Sequence, residues 1–102
     1  MNLTKEEALN LGVKIMEDIS FDYDKKDNIN VKFDKGEYLI KNKNTWLVSF
    51  QYGAEDYGRN VGAHLLILDE DKNPIDISFR NGSITLGYDE EKNKYFIQSK
   101  RP

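Results

Sequence analysis

The sequence predicts an α+β domain, in which one N-terminal helix packs on a twisted antiparallel sheet of about five or six strands connected mainly as a meander. Three observations lead to this prediction: an amphipathic N-terminal stretch with a helix-start signal, several short runs of alternating apolar and polar residues, and turn residues between those runs. A chain of 102 residues is long enough for one domain, so we assign residues 1–102 to a single domain.

The first predicted element is a helix that starts at Thr4. Thr4 and Glu7 have capping-box spacing, in which the Thr4 hydroxyl accepts from the Glu7 amide and the Glu7 carboxylate accepts from the Thr4 amide. Leu11 and Ile15 would face outward or toward a second layer, and Gly12 would allow a strand to approach closely. The stripe that we expect to cover the sheet consists of Ala8, Leu9, Gly12, Val13, Met16 and Ile19.

The next segment predicts a loop and then a strand. Residues 20–28 have no apolar periodicity and are typical of a polar connection. Ile29, Val31 and Phe33 alternate with polar residues, as in a half-buried strand. After a turn at Gly36, residues 37–41 would form a second short strand, and a hairpin or one long bulged strand both fit this pattern.

Two apolar runs predict the centre of the sheet. In the first run, Trp46, Val48, Phe50 and Tyr52 share one face at a period of two. The second run is apolar on both faces, so we expect its strand near the middle of the sheet. One of these faces carries Ala63, Leu65 and Ile67, and the other carries His64, Leu66 and Leu68.

The C-terminal third predicts three more strands. Residues 75–79 and 83–88 flank Asn81-Gly82, the strongest hairpin signal in the chain, and residues 95–98 form the last strand. One short helix covers only one sheet face, which leaves a second face with Leu66, Leu68 and some of Tyr88, Tyr95 and Phe96. We expect the C-terminal hairpin to curl over this second face. The alternative is a partner or dimer surface.

Composition and charge exclude several classes of function. The net charge of −3 gives no basic excess to neutralise phosphates, so we predict no nucleic-acid binding. The absence of cysteine excludes disulfides, thiolate zinc sites and thiol nucleophiles. The N-terminus has acids where a secretory signal has an apolar core, and no apolar run approaches a membrane span. We therefore expect a cytoplasmic protein without membrane association.

No motif for catalysis, cofactor binding or metal binding stands out. Residues 69–73 resemble the start of a calcium loop, but Pro74 and Arg80 occupy the positions that need Gly and Glu, which predicts a solvated turn. His64 is the only histidine and fits a hydrogen-bonded core or sheet-face residue. We expect no metal, no cofactor and no enzymatic activity. A carboxylate pair formed only in the folded chain is the catalytic arrangement that the sequence leaves open.

A glycine-bounded loop, residues 53–62, is the strongest candidate for a partner-binding site. It places an exposed aromatic residue among charges of both signs, a combination that often anchors protein interfaces. A hairpin loop without a partner is the alternative interpretation. With the acidic turn that follows the second central strand, the predicted partner-binding residues are Glu55, Asp56, Tyr57, Arg59, Asp69 and Asp71.

Three segments carry a family resemblance over roughly residues 4–77. They are Thr-x-Glu-Glu-Ala-Leu from Thr4, Trp-Leu-Val-Ser-Phe from Trp46, and Leu-Leu-Ile-Leu-Asp-Glu-Asp-Lys-Asn-Pro-Ile from Leu65. In these segments the chain resembles small bacterial immunity proteins of polymorphic toxin systems and, as a lesser match, PepSY-type propeptide domains. The resemblance to immunity proteins implies a non-catalytic protein that blocks a cognate toxin through a charged surface. Its negative charge would suit a basic, nuclease-like toxin.

Two other functions remain open from the sequence. A small-ligand or peptide-binding domain would use a pocket between the helix and the sheet. A structural homodimer would join two copies through the second sheet face. We therefore expect a protein partner and either a monomer or a homodimer.

Overall fold

Over the residues that the structure describes, the fold consists of one helix on one six-stranded sheet. The computed structural model describes residues 2–21, 23, 29–37, 39–54, 60–79 and 82–101, with backbone only at 52–54, 60 and 61. The six strands form an open antiparallel sheet in the order of the sequence, so the predicted α+β meander is confirmed. The elements are α1 (Lys5–Asp18), β1 (Asn30–Lys35), β2 (Asn44–Ala54), β3 (Asn60–Leu68), β4 (Pro74–Phe79), β5 (Gly82–Asp89) and β6 (Lys94–Arg101).

The start of α1 follows the predicted capping box. The Glu7 amide donates to Thr4 Oγ1 at 3.1 Å, and the Thr4 amide donates to Glu7 Oε1 at 2.9 Å. Ile15 is fully buried in the core between α1 and the sheet, so the expectation that it faces outward or toward a second layer is wrong. It lies three residues beyond Gly12, and residues three apart are neighbours on one helical face. No helix among the described ranges has the length and hydropathy needed to cross a membrane.

Gly12 lets α1 lie directly against β2. A Cβ at this position would be 3.0 Å from Val48 Cγ1 and 3.3 Å from Phe50 Cζ, and both of those side chains are fully buried. The predicted close approach of helix and strand is therefore confirmed. It also identifies the sheet face that carries Val48 and Phe50 as the one that α1 covers.

Cross-strand rows of apolar residues build the core on the α1 side of the sheet. Phe33 pairs with Trp46, and Trp46 pairs with Ile67. Directly paired residues point to the same face, so this row lies on one side of the sheet. A second row on the same side lies two residues further along each strand. That row consists of Val31, Val48, Leu65, Ile77 and Ile84. The predicted burial of Trp46, Val48 and Phe50 is confirmed, and the side chain of Tyr52 lies outside the described residues.

The link between β1 and β2 differs from the prediction. Residues 37–41 do not form the expected short strand in their described part, and β1 pairs directly with β2. The Asn42 amide donates to the Gly36 carbonyl at 2.9 Å, and both residues have positive φ angles, +66° and +85°. This bond brings the two ends of the run together, whereas a five-residue strand would extend about 17 Å, so the run closes into a loop instead of a ladder.

The sheet face opposite α1 is called the outer face below. β5 and β6 continue the sheet as its fifth and sixth strands, and Leu66 and Leu68 stay partly exposed. The expectation that the C-terminal hairpin buries this face is therefore wrong. The register also places Tyr88 and Tyr95 on the α1 side, whereas Phe96 lies on the outer face over Gly87. Of the Asn81-Gly82 turn, Asn81 lies outside the described residues, and Gly82 pairs with Phe79 as expected for a hairpin.

Candidate partner-binding surfaces

The predicted partner-binding residues belong to two ends of the β2–β3 ribbon. Glu55, Asp56, Tyr57 and Arg59 lie outside the described residues, and their part in an interface stays a prediction. The strand ends that carry this loop, Ala54 and Asn60, pair at one end of the ribbon. Asp69 directly follows β3 at the opposite end, about 30 Å away along a nine-residue strand. Asp69 and Asp71 are thus far from the base of the predicted loop.

Asp69 is a buried residue and not the solvated turn residue that we predicted. Its side chain is only 2% exposed. Its Oδ1 accepts from Trp46 Nε1 at 2.8 Å and from the Leu3 amide at 2.9 Å, and its Oδ2 accepts from the Asn2 amide at 2.7 Å. The carboxylate therefore ties the start of the chain and the central tryptophan to the end of β3. Its oxygens are not presented to a partner.

Opposing effects set the pKa of Asp69. Burial raises the pKa of this carboxyl, because a low-dielectric environment disfavours the charged form. The hydrogen bonds from the Asn2 amide, the Trp46 indole and the Leu3 amide outweigh burial and hold the pKa below its ordinary value. Asp69 is therefore an ionised anchor whose charge is stabilised by three donors.

The acidic turn, residues 69–73, is held at several points while its other carboxylates remain outside. The Asp69 amide donates to the Asn44 carbonyl at 3.0 Å, which fixes the turn to the start of β2. Asp71 Oδ1 accepts from the Asn73 amide at 3.0 Å, and Glu70 Oε2 lies 3.2 Å from Lys43 Nζ. The side chains of Glu70 and Asp71 are exposed. The turn therefore presents two carboxylates on a base that is hydrogen-bonded from inside.

The outer face has an apolar centre with a charge on each side. Leu47 and Leu66 are direct cross-strand neighbours and are half-buried, as is Leu68. Lys32 on β1 pairs with Leu47, and Asp76 on β4 pairs with Leu66. The sequence analysis identified the leucines on β3 but missed Lys32 and Asp76. Alternation places each of them on an outer face, but only the strand register brings them into one row.

His64 is a sheet-face residue on the outer face. Its ring is exposed, and Nδ1 lies 2.7 Å from Ser49 Oγ on the neighbouring strand. The predicted role of a hydrogen-bonded sheet residue is confirmed. Among the described residues, no group of three or more His, Cys, Asp or Glu side chains is arranged to hold a metal ion.

A cavity of about 540 Å³ lies where α1 ends beside β6. Asp18 Oδ2 accepts from Lys14 Nζ at 2.8 Å and from the Tyr95 amide at 3.1 Å, which fastens the helix to this edge strand. Burial raises the pKa of Asp18, but its bonds from Lys14 and Tyr95 bring it below the ordinary value. This cavity is where a pocket-binding function would place its ligand. Its lining residues are Asp18, Ile19, Asp89, Lys92, Lys94, Tyr95, Phe96 and Ile97.

Comparison with family models, with curated proteins and with solved structures gave no significant match for this chain. The assignment of function therefore depends on the surfaces described above and on the resemblance in the sequence.

Proposed function

We propose that the protein is a non-catalytic, cytoplasmic binding protein of the immunity type, which neutralises a cognate bacterial toxin by direct protein contact. The observation that carries this proposal is the anchored acidic turn. Asp69 is bound from inside by three donors, and Glu70 and Asp71 are exposed on the same turn. A turn that is already ordered loses little conformational freedom on binding, so more of the contact energy appears as affinity.

The exposed carboxylates of Glu70 and Asp71, which lie beside Lys43 and Lys72, favour a partner that places basic side chains opposite them. Exposed carboxylates at the rim of an interface mainly speed association with a positively charged partner, and their effect weakens as salt increases. The chain as a whole also carries a net charge of −3, which acts in the same direction. A nuclease-like toxin with a basic surface is the kind of partner that this charge suits.

The proposal can be tested by neutralising the two exposed carboxylates without disturbing the anchor. In the double variant Glu70→Gln with Asp71→Asn, the new side-chain amide at position 71 keeps an oxygen that can accept from the Asn73 amide, so the turn should keep its shape. A matched control, Glu90→Gln with Glu91→Gln, removes the same charge from the exposed β5–β6 turn. Both variants and the wild-type protein would be tagged and used to capture proteins from native cells, followed by mass spectrometry.

We expect the wild-type protein and the control to retain one stoichiometric protein, and we expect the turn variant to bind it more weakly by a factor of about ten or more. Expression of that partner alone should arrest bacterial growth, and co-expression of the wild-type protein should restore it. Three results would contradict the proposal: no stoichiometric partner, a partner without toxicity, or equal binding by the turn variant and the control.

The predicted loop at the other end of the ribbon has its own test. The double variant Tyr57→Ala with Arg59→Ala should leave folding intact, because neither residue belongs to an apolar alternation pattern. It should weaken binding of the same captured protein if the loop contributes to the contact. A decrease in melting temperature of several degrees would show that these side chains stabilise the fold instead, and unchanged binding would remove the loop from the interface.

A further inference from the structure

One cross-strand row of the outer face has two leucines in the middle and a charged residue at each end, and the two charges have opposite signs. The row is Lys32, Leu47, Leu66 and Asp76, on four consecutive strands and in direct register. Its two leucines occupy the middle and remain half-buried. Each charge lies one strand beyond a leucine, so the middle of the row falls between β2 and β3.

The two charges of this row are not paired with each other in one chain. They are three strand spacings apart, which is about 14 Å and beyond the reach of an ion pair. Within the part of the chain that the structure describes, neither Lys32 nor Asp76 makes an ion pair. Both charges are therefore available to opposite charges of a second molecule.

We propose that a second copy of this chain packs on the outer face, with a two-fold axis that runs along the strands between β2 and β3. This rotation places the β1 side of one copy over the β4 side of the other and keeps each residue at the same position along the strands, so the two rows meet in opposite directions. Lys32 of each copy then faces Asp76 of the other, and Leu47 faces Leu66. The proposal goes beyond the toxin-binding function and does not depend on it.

The neighbouring row supports the same axis. It consists of Asn30, Ser49, His64 and Ser78, again on four consecutive strands. The rotation places Ser49 of one copy over His64 of the other and Asn30 over Ser78, so every facing pair can exchange a hydrogen bond. Leu68 extends the apolar area on the opposite side of the charged row. An apolar centre with polar and charged margins is the usual organisation of a protein interface.

The charges also discriminate against the other face-to-face arrangement. A two-fold axis perpendicular to the strands, along the row, would place Lys32 over Lys32 and Asp76 over Asp76. Like charges in contact disfavour that register. A two-fold axis along the strands also keeps the strands of the two copies nearly aligned, as in face-to-face sheet packing, where strand directions usually differ by about 30°.

The test uses two charge-reversal variants of the full chain, Lys32→Asp and Asp76→Lys, and sedimentation equilibrium over a concentration series. The wild-type protein should dimerise reversibly. Each variant alone should dimerise more weakly by a factor of about ten or more, because its homodimer would contain two like-charge contacts. An equimolar mixture of the two variants should recover dimers, because the mixed dimer contains one original Lys32–Asp76 contact and one contact in which both charges are reversed. No general effect on folding or on net charge produces this recovery.

Two controls carry the same charge reversals elsewhere. Lys35→Asp is also on β1 but outside the row, and Glu90→Lys is in the exposed β5–β6 turn. Both should dimerise like the wild-type protein, and circular dichroism should show that all variants fold. A wild-type protein that stays monomeric up to about 1 mM would overturn the proposal and leave the outer face to a different protein. A wild-type dimer that is not recovered in the mixture would overturn the proposed axis.

Discussion

Replacing Asp69 by Asn tests whether a buried carboxylate holds the acidic turn. The oxygen of the new amide can take the place of Oδ1 and accept from Trp46 Nε1 and the Leu3 amide, but its nitrogen then faces the Asn2 amide, donor against donor. Each of the two retained bonds should weaken by about 0.75 kcal/mol because its acceptor becomes neutral, and the loss of the third bond, which goes to a charged acceptor, costs about 1.5 kcal/mol. We expect the free energy of unfolding to fall by about 3 kcal/mol.

Thermal unfolding followed by circular dichroism measures this change. For a domain of this size, a loss of about 3 kcal/mol corresponds to a decrease in melting temperature of about 12–24 °C. Asp71→Asn is the matched control, because it removes the same charge from an exposed carboxylate in the same turn and should change stability by less than about 0.5 kcal/mol. If Asp69→Asn destabilised the protein no more than Asp71→Asn, the reasoning about the buried anchor would be refuted.

The pH dependence of the same comparison has a defined sign. The pKa of Asp69 is lowered in the folded protein, so its contribution to stability is fully present above the unfolded pKa of about 3.9 and is lost as the pH falls through the lower, folded pKa. Asn does not titrate. The stability difference between wild-type protein and Asp69→Asn should therefore be constant near neutral pH and should narrow below about pH 4. A difference that widened in acid would contradict this assignment.

Two further substitutions test the packing of the sheet. Gly12→Ala should lower the free energy of unfolding, measured by urea titration, by about 1 kcal/mol. The new Cβ would be 3.0 Å from Val48 Cγ1, and we expect this strain to exceed the gain in helix propensity. A variant more stable than the wild-type protein would show that α1 can move away from β2 without cost. Thr45→Val should raise the free energy of unfolding by up to about 1 kcal/mol. The buried Thr45 Oγ1 has no hydrogen-bond partner among the described residues, and valine has nearly the same side-chain shape as threonine. A loss of more than about 1 kcal/mol would show that Thr45 Oγ1 does have a hydrogen-bond partner.

Local patterns predicted the elements whose formation depends on local chemistry. The Thr4–Glu7 capping box formed as predicted because both of its hydrogen bonds are within one turn. The alternation of Trp46, Val48 and Phe50 identified the buried face of β2, since alternate side chains of a strand point to opposite faces. Gly12 was also interpreted correctly, because a helical glycine on an apolar stripe is explained by close packing.

The predictions that failed concern residues whose structure is determined by contacts with distant parts of the chain. Asp69 lies in a run of charged residues that is typical of a solvated turn, and only the folded chain brings the Asn2 and Leu3 amides and the Trp46 indole to its carboxylate. Residues 37–41 contain a short apolar run between turn residues, as a short strand does, but β2 is the partner that gives β1 a buried ladder. The row from Lys32 to Asp76 depends on the register of four strands, which no single-strand pattern contains.

The two proposals have a joint consequence for how a partner would bind. A two-fold axis along the strands keeps each residue at the same height along the sheet, so both copies of the acidic turn, which follows β3 at Leu68, lie at one end of the dimer. Such a dimer would present four exposed carboxylates, Glu70 and Asp71 from each copy, to one basic surface, and bivalent contact strengthens binding without any new type of contact. Lys32→Asp, which should dissociate the dimer while leaving the turn intact, should then weaken capture of the partner, and mixing it with Asp76→Lys should restore capture. Capture that is unaffected by Lys32→Asp would show that each chain binds its partner alone.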